Sequence, residues 1–242
     1  MKRKFYFGLA FVGIMVIYAG ILGCGKSKPA ADSSSVPVET GEHINFGSYQ
    51  GEEIEWRVLD VKDGNVLLLS EYGLDVQPFH ETQESNIAWE DCTLRQWLND
   101  EFYESAFTEE EKEKIVLSTS EGFPEYNSSM PGGKPAYRER ETEDNVFLLS
   151  YTELYRYISD DTTAEMSDSD RLCYPTEYAK SNSEMSLNKD ACGWWLCSVN
   201  QSAPDGYRPM AVTVYGQIQQ ELGAAGVTSM QYAVRPAVWI KW

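Results

Sequence analysis

Apolar and polar positions alternate at Ile54, Trp56 and Val58, and a second apolar run, Val66–Ser70, follows Asp63-Gly64. A period of two broken by Asp-Gly predicts a β-hairpin, because that dipeptide tolerates the positive φ angles of a tight turn. Ile44–Tyr49 precedes it as the expected start of the folded part. The period then changes. Leu94, Trp97, Leu98 and Phe102 fall at i, i+3, i+4 and i+8, one stripe of a helix, and Thr93 with Gln96 has the spacing of a capping box. The same box recurs at Thr108 with Glu111 and at Ser150 with Glu153, the latter after a strand-like Val146–Leu149. Short β signals fill the last third: Gly193–Leu196, Met210–Val214, Ile218 onward, and Tyr232–Ile240. Two stretches are irregular. Ser118–Glu143 turns on Pro131-Gly-Gly133, and Asp160–Asp170 is acidic but lacks the Asp-x-Asp-x-Asp-Gly spacing of a calcium loop, so it reads as a solvated loop. The pattern predicts an α+β single domain over residues 42–242, with an antiparallel-rich twisted sheet, two to three helices and long loops.

The N-terminus has a different pattern. After Met-Lys-Arg-Lys, no charge occurs from Phe5 to Gly23, and the run ends Ile21-Leu22-Gly23-Cys24. A basic start, an apolar run and a small residue before cysteine are the marks of a lipoprotein signal, with residues 1–23 removed and Cys24 lipidated. An uncleaved membrane-spanning helix is the rival reading, the run being near the lower length limit. Both place the remainder on the extracytoplasmic face of the cell membrane, because Lys2, Arg3 and Lys4 hold the N-terminus inside. Residues 24–41 are small and polar and read as a flexible tether.

Charge narrows the partners. Loss of Lys2, Arg3 and Lys4 would take the formal charge from −18 to −21, which excludes nucleic acid as a partner and opposes lying flat on anionic lipid. Cys92, Cys173, Cys192 and Cys197 read either as free, buried thiols or as holding one disulfide; four cysteines allow three pairings, and sequence alone chooses none. Without a Cys-x-x-Cys, and with His43 and His80 as the only histidines, no structural zinc, other metal or cofactor is expected.

Read in order, Ile44–Tyr49, Ile54–Leu59, Trp89–Asn99, Phe102–Phe107, Val146–Ser150, Tyr174–Ala179, Gly193–Leu196 and Val234–Trp239 resemble an uncharacterised bacterial domain family, many of whose members are surface or secreted proteins. The pairing of Trp-Trp-Leu with Val-Arg-Pro-Ala resembles the C-terminal half of the C-type-lectin-like fold. That group includes formylglycine-generating enzymes and variable ligand-binding proteins. The resemblance implies that the first and last strands lie together, that two helices pack on the sheet, and that later loops present a ligand surface. One departure stands out: the family usually follows Trp-Trp-Leu with Arg-Ser, and this chain has Cys197-Ser198.

Candidate chemistry concentrates in the last third. On a strand, Trp194 and Trp195 point to opposite faces, so one is expected in the core and the other exposed for stacking on a ligand. With Tyr207, Arg208, Tyr215, Tyr232 and Arg235 they predict a binding surface on the loops around residues 193–232, for a glycan or another envelope protein. Arg208 and Arg235 each precede proline, which favours extended backbone, and in so acidic a chain both also suit pairing with carboxylates. No nucleophile elbow, His-Glu-x-x-His, P-loop or dinucleotide fingerprint occurs. The enzymatic alternatives are a cell-envelope hydrolase and a formylglycine-generating type of enzyme using Cys192 and Cys197. Five residues of straight strand, however, span roughly 16 Å against the ~7 Å limit for bridging two Cα atoms.

Overall fold

Two tight turns organise the N-terminal strands. β1 (His43–Tyr49) reaches β2 (Glu52–Lys62) through Gln50-Gly51, and β2 reaches β3 (Asn65–Ser70) through Asp63-Gly64. Each turn pairs two positive φ angles, 52° and 87° in the first and 52° and 78° in the second, as a type I′ hairpin turn requires. The Asp-Gly hairpin therefore forms as the alternation predicts. The computed structural model describes residues 37–120, 137–159, 167–183, 185–202, 206–220, 222 and 224–242. Cys24, the apolar N-terminal run and most of the tether lie outside the described residues, as do the centres of both irregular stretches.

Short strands follow: β4 (Tyr72–Gly73), β5 (Asp75–Val76), β6 (Ile115–Val116), β7 (Tyr137–Arg138), β8 (Tyr174–Pro175) and β9 (Leu187–Asn188). The last third holds β10 (Ala191–Asn200), β11 (Arg208–Val212), β12 (Ile218–Gln219), β13 (Tyr232–Val234) and β14 (Ala237–Lys241). One sheet has the order β1-β2-β3-β14-β6 and is antiparallel throughout. The C-terminal strand thus lies beside the N-terminal hairpin, with Ala237–Lys241 opposite Leu69–Asn65. A second sheet runs β12-β11-β10-β13-β5, with β7 and β9 also on β10, and a third pairs β4 with β8 in parallel. The chain from residue 36 onward forms one unit, and its buried side chains make one apolar cluster that reaches into both larger sheets. The architecture is mixed α+β.

Helices occupy the connections. α1 (Thr93–Trp97) and α2 (Tyr103–Ala106) are joined by a π-helical turn, Leu98–Phe102; α3 (Glu109–Lys112), α4 (Tyr151–Tyr157) and α5 (Glu177–Ser181) are separate. An i→i+5 turn takes more than 3.6 residues, so the four-residue steps from Leu94 to Leu98 to Phe102 keep returning to the buried side. Capping boxes form at Thr108 with Glu111 and at Ser150 with Glu153. The expected box at Thr93 does not: Cys92 is the cap, its sulfur accepting from the Arg95 N–H at 3.4 Å, while the Thr93 hydroxyl accepts from the Glu81 N–H. The segment Tyr232–Ile240 is not one strand. It changes sheets at Arg235-Pro236, where proline has no N–H to donate. Val146–Leu149 is fully buried but makes only the single bridge Phe147–Ala237, so it is not a strand.

Candidate functional site

The last-third residues expected on a binding surface are distributed otherwise. Trp194 and Trp195 are both fully buried, which corrects the expectation that one is exposed. β10 is the central strand of its sheet, and both its faces are covered. The Trp194 indole donates to the Arg171 carbonyl at 3.0 Å beneath the Arg235 guanidinium, whereas that of Trp195 donates to the Gln77 carbonyl at 2.9 Å and packs on Phe79 and Tyr232. Arg235 is buried too, and joins the two sheets: its Nε donates to the Ser70 carbonyl at 2.9 Å. Neither tryptophan nor Arg235 is open to a ligand. Tyr207 and Arg208 are half-buried, and Tyr232 is half-buried with its hydroxyl on Gln219. Tyr215, on the turn between β11 and β12, is 54% exposed.

The cysteines divide by surroundings. All four described thiols are free and buried. Burial pushes Cys92 up to about 12 and Cys197 well above its ordinary value, the latter helped by the charge of Glu153. Cys192 and Cys197 stand five apart on β10. Cys192 lies opposite Cys173, while Cys197 sits among Glu139, Arg140 and Glu153. The two therefore do not share a reaction centre of the formylglycine type. No group of His, Cys, Asp and Glu suited to a metal occurs among the described residues.

The sequence motif Trp89–Asn99 serves structure. Asn99 uses its whole amide, donating to the Arg95 and Val146 carbonyls and accepting from the Asn145 and Val146 N–H groups. Trp89 and Arg95 both donate to Asp144. The helix is thereby fixed to the segment 144–149, which no local pattern could reveal.

An open site forms elsewhere, where the end of β1 meets β5, the α1 helix and α5. Tyr49, Tyr72 and Tyr178 line a cleft of about 150 Å³ that Glu52, Glu53 and Glu55 also line, the Glu53 carboxylate accepting from the Asn45 amide and that of Glu55 hydrogen-bonded to His43. The Tyr49 ring meets Tyr178 edge-on at 5.8 Å and Trp97 edge-on at 6.4 Å. Beyond Trp97 lies a second cleft of about 210 Å³, lined by Gln77, Asp100 and Glu101 among others. Asp100 and Glu101 belong to the π-helical turn, a feature that recurs at functional sites. Behind the aromatic seam, the Tyr49 hydroxyl donates to Asp75, which also accepts from the Val76 N–H and is hydrogen-bonded by Gln77. Sequence reading assigned Tyr49 and Trp97 to a strand and a helix stripe. Nothing local joins the two rings, and the acidic residues beside each, Glu52 and Glu53 near Tyr49 and Asp100 and Glu101 near Trp97, are all the sequence offers.

Burial raises the Asp75 carboxyl above its ordinary value, against the opposing hydrogen bonds from Tyr49, Val76 and Gln77. A raised carboxyl favours the folded state fully below the unfolded value, about 3.9, and loses that contribution as pH climbs through the folded value. Asp75→Asn, which never ionises, should therefore gain on the wild type between pH 4 and neutrality. Paired urea melts at both ends of that range check the sign, and a relative loss by the variant towards neutrality would refute the assignment.

Residues 63–242 match the family model described as Domain of unknown function (DUF6273), and neither a curated protein nor a solved structure matches the chain significantly. The match opens at the Asp63-Gly64 turn, so β1 and β2 precede it although they complete the same sheet. This chain belongs to the DUF6273 family of unknown function.

Proposed function

We propose that this chain is a binding module, held by a lipid on Cys24 at the extracytoplasmic face of the membrane, that seats a neutral or amine-bearing glycan of the cell envelope in the tyrosine cleft. One observation carries the reading. Tyr49, Tyr72 and Tyr178 line a cleft sized for a single sugar ring beside Glu52, Glu53 and Glu55, with the Tyr49 hydroxyl held by Asp75. Aromatic faces stack on the apolar side of a pyranose, and carboxylates accept from its hydroxyl or ammonium groups. The formal charge of −18 disfavours anionic ligands. A C-type-lectin-like arrangement is part of the proposal: the N-terminal hairpin and C-terminal strand sharing one sheet, with irregular connections on the second, support it.

The test uses insoluble envelope glycan. Wild-type protein should be retained by purified peptidoglycan and by a partly deacetylated chitin, and Tyr178→Ala should reduce retention at least tenfold with an unchanged melting temperature. Tyr178 is half-buried at the cleft wall, so a stable variant is expected. Absence of wild-type retention on both polymers, or full retention by Tyr178→Ala, would overturn the glycan reading. Retention by an envelope protein in place of glycan would move the assignment to the other partner class.

A further inference from the structure

Cys173 and Cys192 face each other across an antiparallel bridge, and the Cys192 N–H donates to the Cys173 carbonyl at 2.8 Å. Hydrogen-bonded partners in such a pair have Cα atoms about 5.5 Å apart, inside the ~4.4–6.8 Å window of bridged cysteines. Their sulfurs converge as well. The Cys192 thiol donates to the Cys173 carbonyl at 3.5 Å and the Cys173 thiol to the Tyr174 carbonyl at 3.8 Å, and a Cβ built on Gly73 would lie 3.4 Å from the Cys192 sulfur and 3.7 Å from that of Cys173. With no side chain at residue 73, both sulfurs occupy one buried space. Cys92 is instead engaged as a helix cap and Cys197 lies among Glu139, Arg140 and Glu153, so of the three pairings open to the sequence the fold favours one.

We propose that Cys173 and Cys192 are the site of a disulfide, made as the chain folds by exchange with a disulfide donor of the thiol–disulfide oxidoreductase class. In the folded chain burial opposes ionisation of Cys173, yet the neighbouring Cys192 thiol and the Arg235 charge bring its thiol below its ordinary value, whereas Cys192 is raised. Before the pair is buried either thiolate can attack the donor, and the exchange balances equally with either first. With Cys173 first, its thiolate attacks one donor sulfur, giving a mixed disulfide and expelling a donor thiolate. Cys192 then attacks the Cys173 sulfur and expels the second. Two electrons and two protons leave the protein and end on the donor dithiol. The bond closes the segment that contains Thr176 and Tyr178, tying that wall of the cleft to β10.

The test needs no ligand, so it stands or falls apart from the glycan reading. The full chain, produced in a disulfide-forming compartment and purified without reductant, is blocked with maleimide in denaturant, digested and mapped by mass spectrometry. Peptides containing Cys173 and Cys192 should be joined and two hydrogens lighter than their sum, with Cys92 and Cys197 blocked by maleimide. Reduction should lower the wild-type melting temperature by about 5–10 °C. Cys173→Ala/Cys192→Ala should melt at the reduced value and ignore the reductant. Maleimide on both residues in protein that melts cooperatively would overturn the proposal, as would a link from either to Cys92 or Cys197, or a wild-type melt unmoved by reductant.

Discussion

Replacing Asp144 by Ala should destabilise the domain by about 3–5 kcal/mol, a large part of the 5–15 kcal/mol typical of a whole domain. The Asp144 side chain is fully buried and takes three donors: Arg95 Nε at 2.6 Å, Trp89 Nε1 at 2.8 Å and the Thr142 hydroxyl at 2.7 Å. Its backbone also pairs with Ser118 in both directions. Truncation would leave the Arg95 guanidinium facing a hole and the Trp89 indole without its acceptor, and an unmatched buried donor pays its full desolvation penalty. Asp144→Asn should fall between, since the amide keeps volume and one acceptor but loses the ion pair. Urea melts at neutral pH decide. A loss below about 1 kcal/mol for Asp144→Ala, at an unchanged slope, would mean that the helix–segment junction is held by packing alone.

How much of this was legible depends on how local the cause is. The Asp-Gly hairpin and the boxes at Thr108 and Ser150 depend on residues within a few positions of each other, and they form as the pattern predicts. Thr93 had the same spacing, but a long-range partner, the Glu81 N–H, takes its hydroxyl and leaves Cys92 to cap. The Asp144 junction and the tyrosine cleft join segments dozens of residues apart, and spacing along the chain carries no trace of such meetings. Tyr49, for example, meets Asp75, Trp97 and Tyr178, one from each of three later elements. β10 is a different case, because its signal was present. Ala191–Val199 contains no charged residue, and a continuous run of that kind marks a strand buried on both faces, whereas alternation marks one with a solvent face. Trp194 and Trp195 do contact different neighbours, as alternation requires, but each set of neighbours is core.

That burial gives a sharp expectation for Trp195→Ala: a loss of about 3–5 kcal/mol, the range for truncating a large buried aromatic. The indole lies 4.5 Å from the Tyr232 ring and 5.7 Å from Phe79, centroid to centroid, and its N–H serves the Gln77 carbonyl. Removing it opens a cavity between β10 and the segment carrying Phe79 and also takes the donor from the part-buried Gln77 carbonyl. The effect should also reach the clefts, since Gln77 lines the one beside Trp97 and is bonded to Asp75 beneath the other. Tyr215→Ala is the control, because that side chain is largely exposed and its loss should stay within about 0.5 kcal/mol. Chemical denaturation of the two variants separates the possibilities. Glycan retention falling in Trp195→Ala while stability stays at the wild-type value would return the indole to the surface and overturn the packing described for β10; a large stability loss, with Tyr178→Ala stable but unable to bind, places the ligand on the tyrosines.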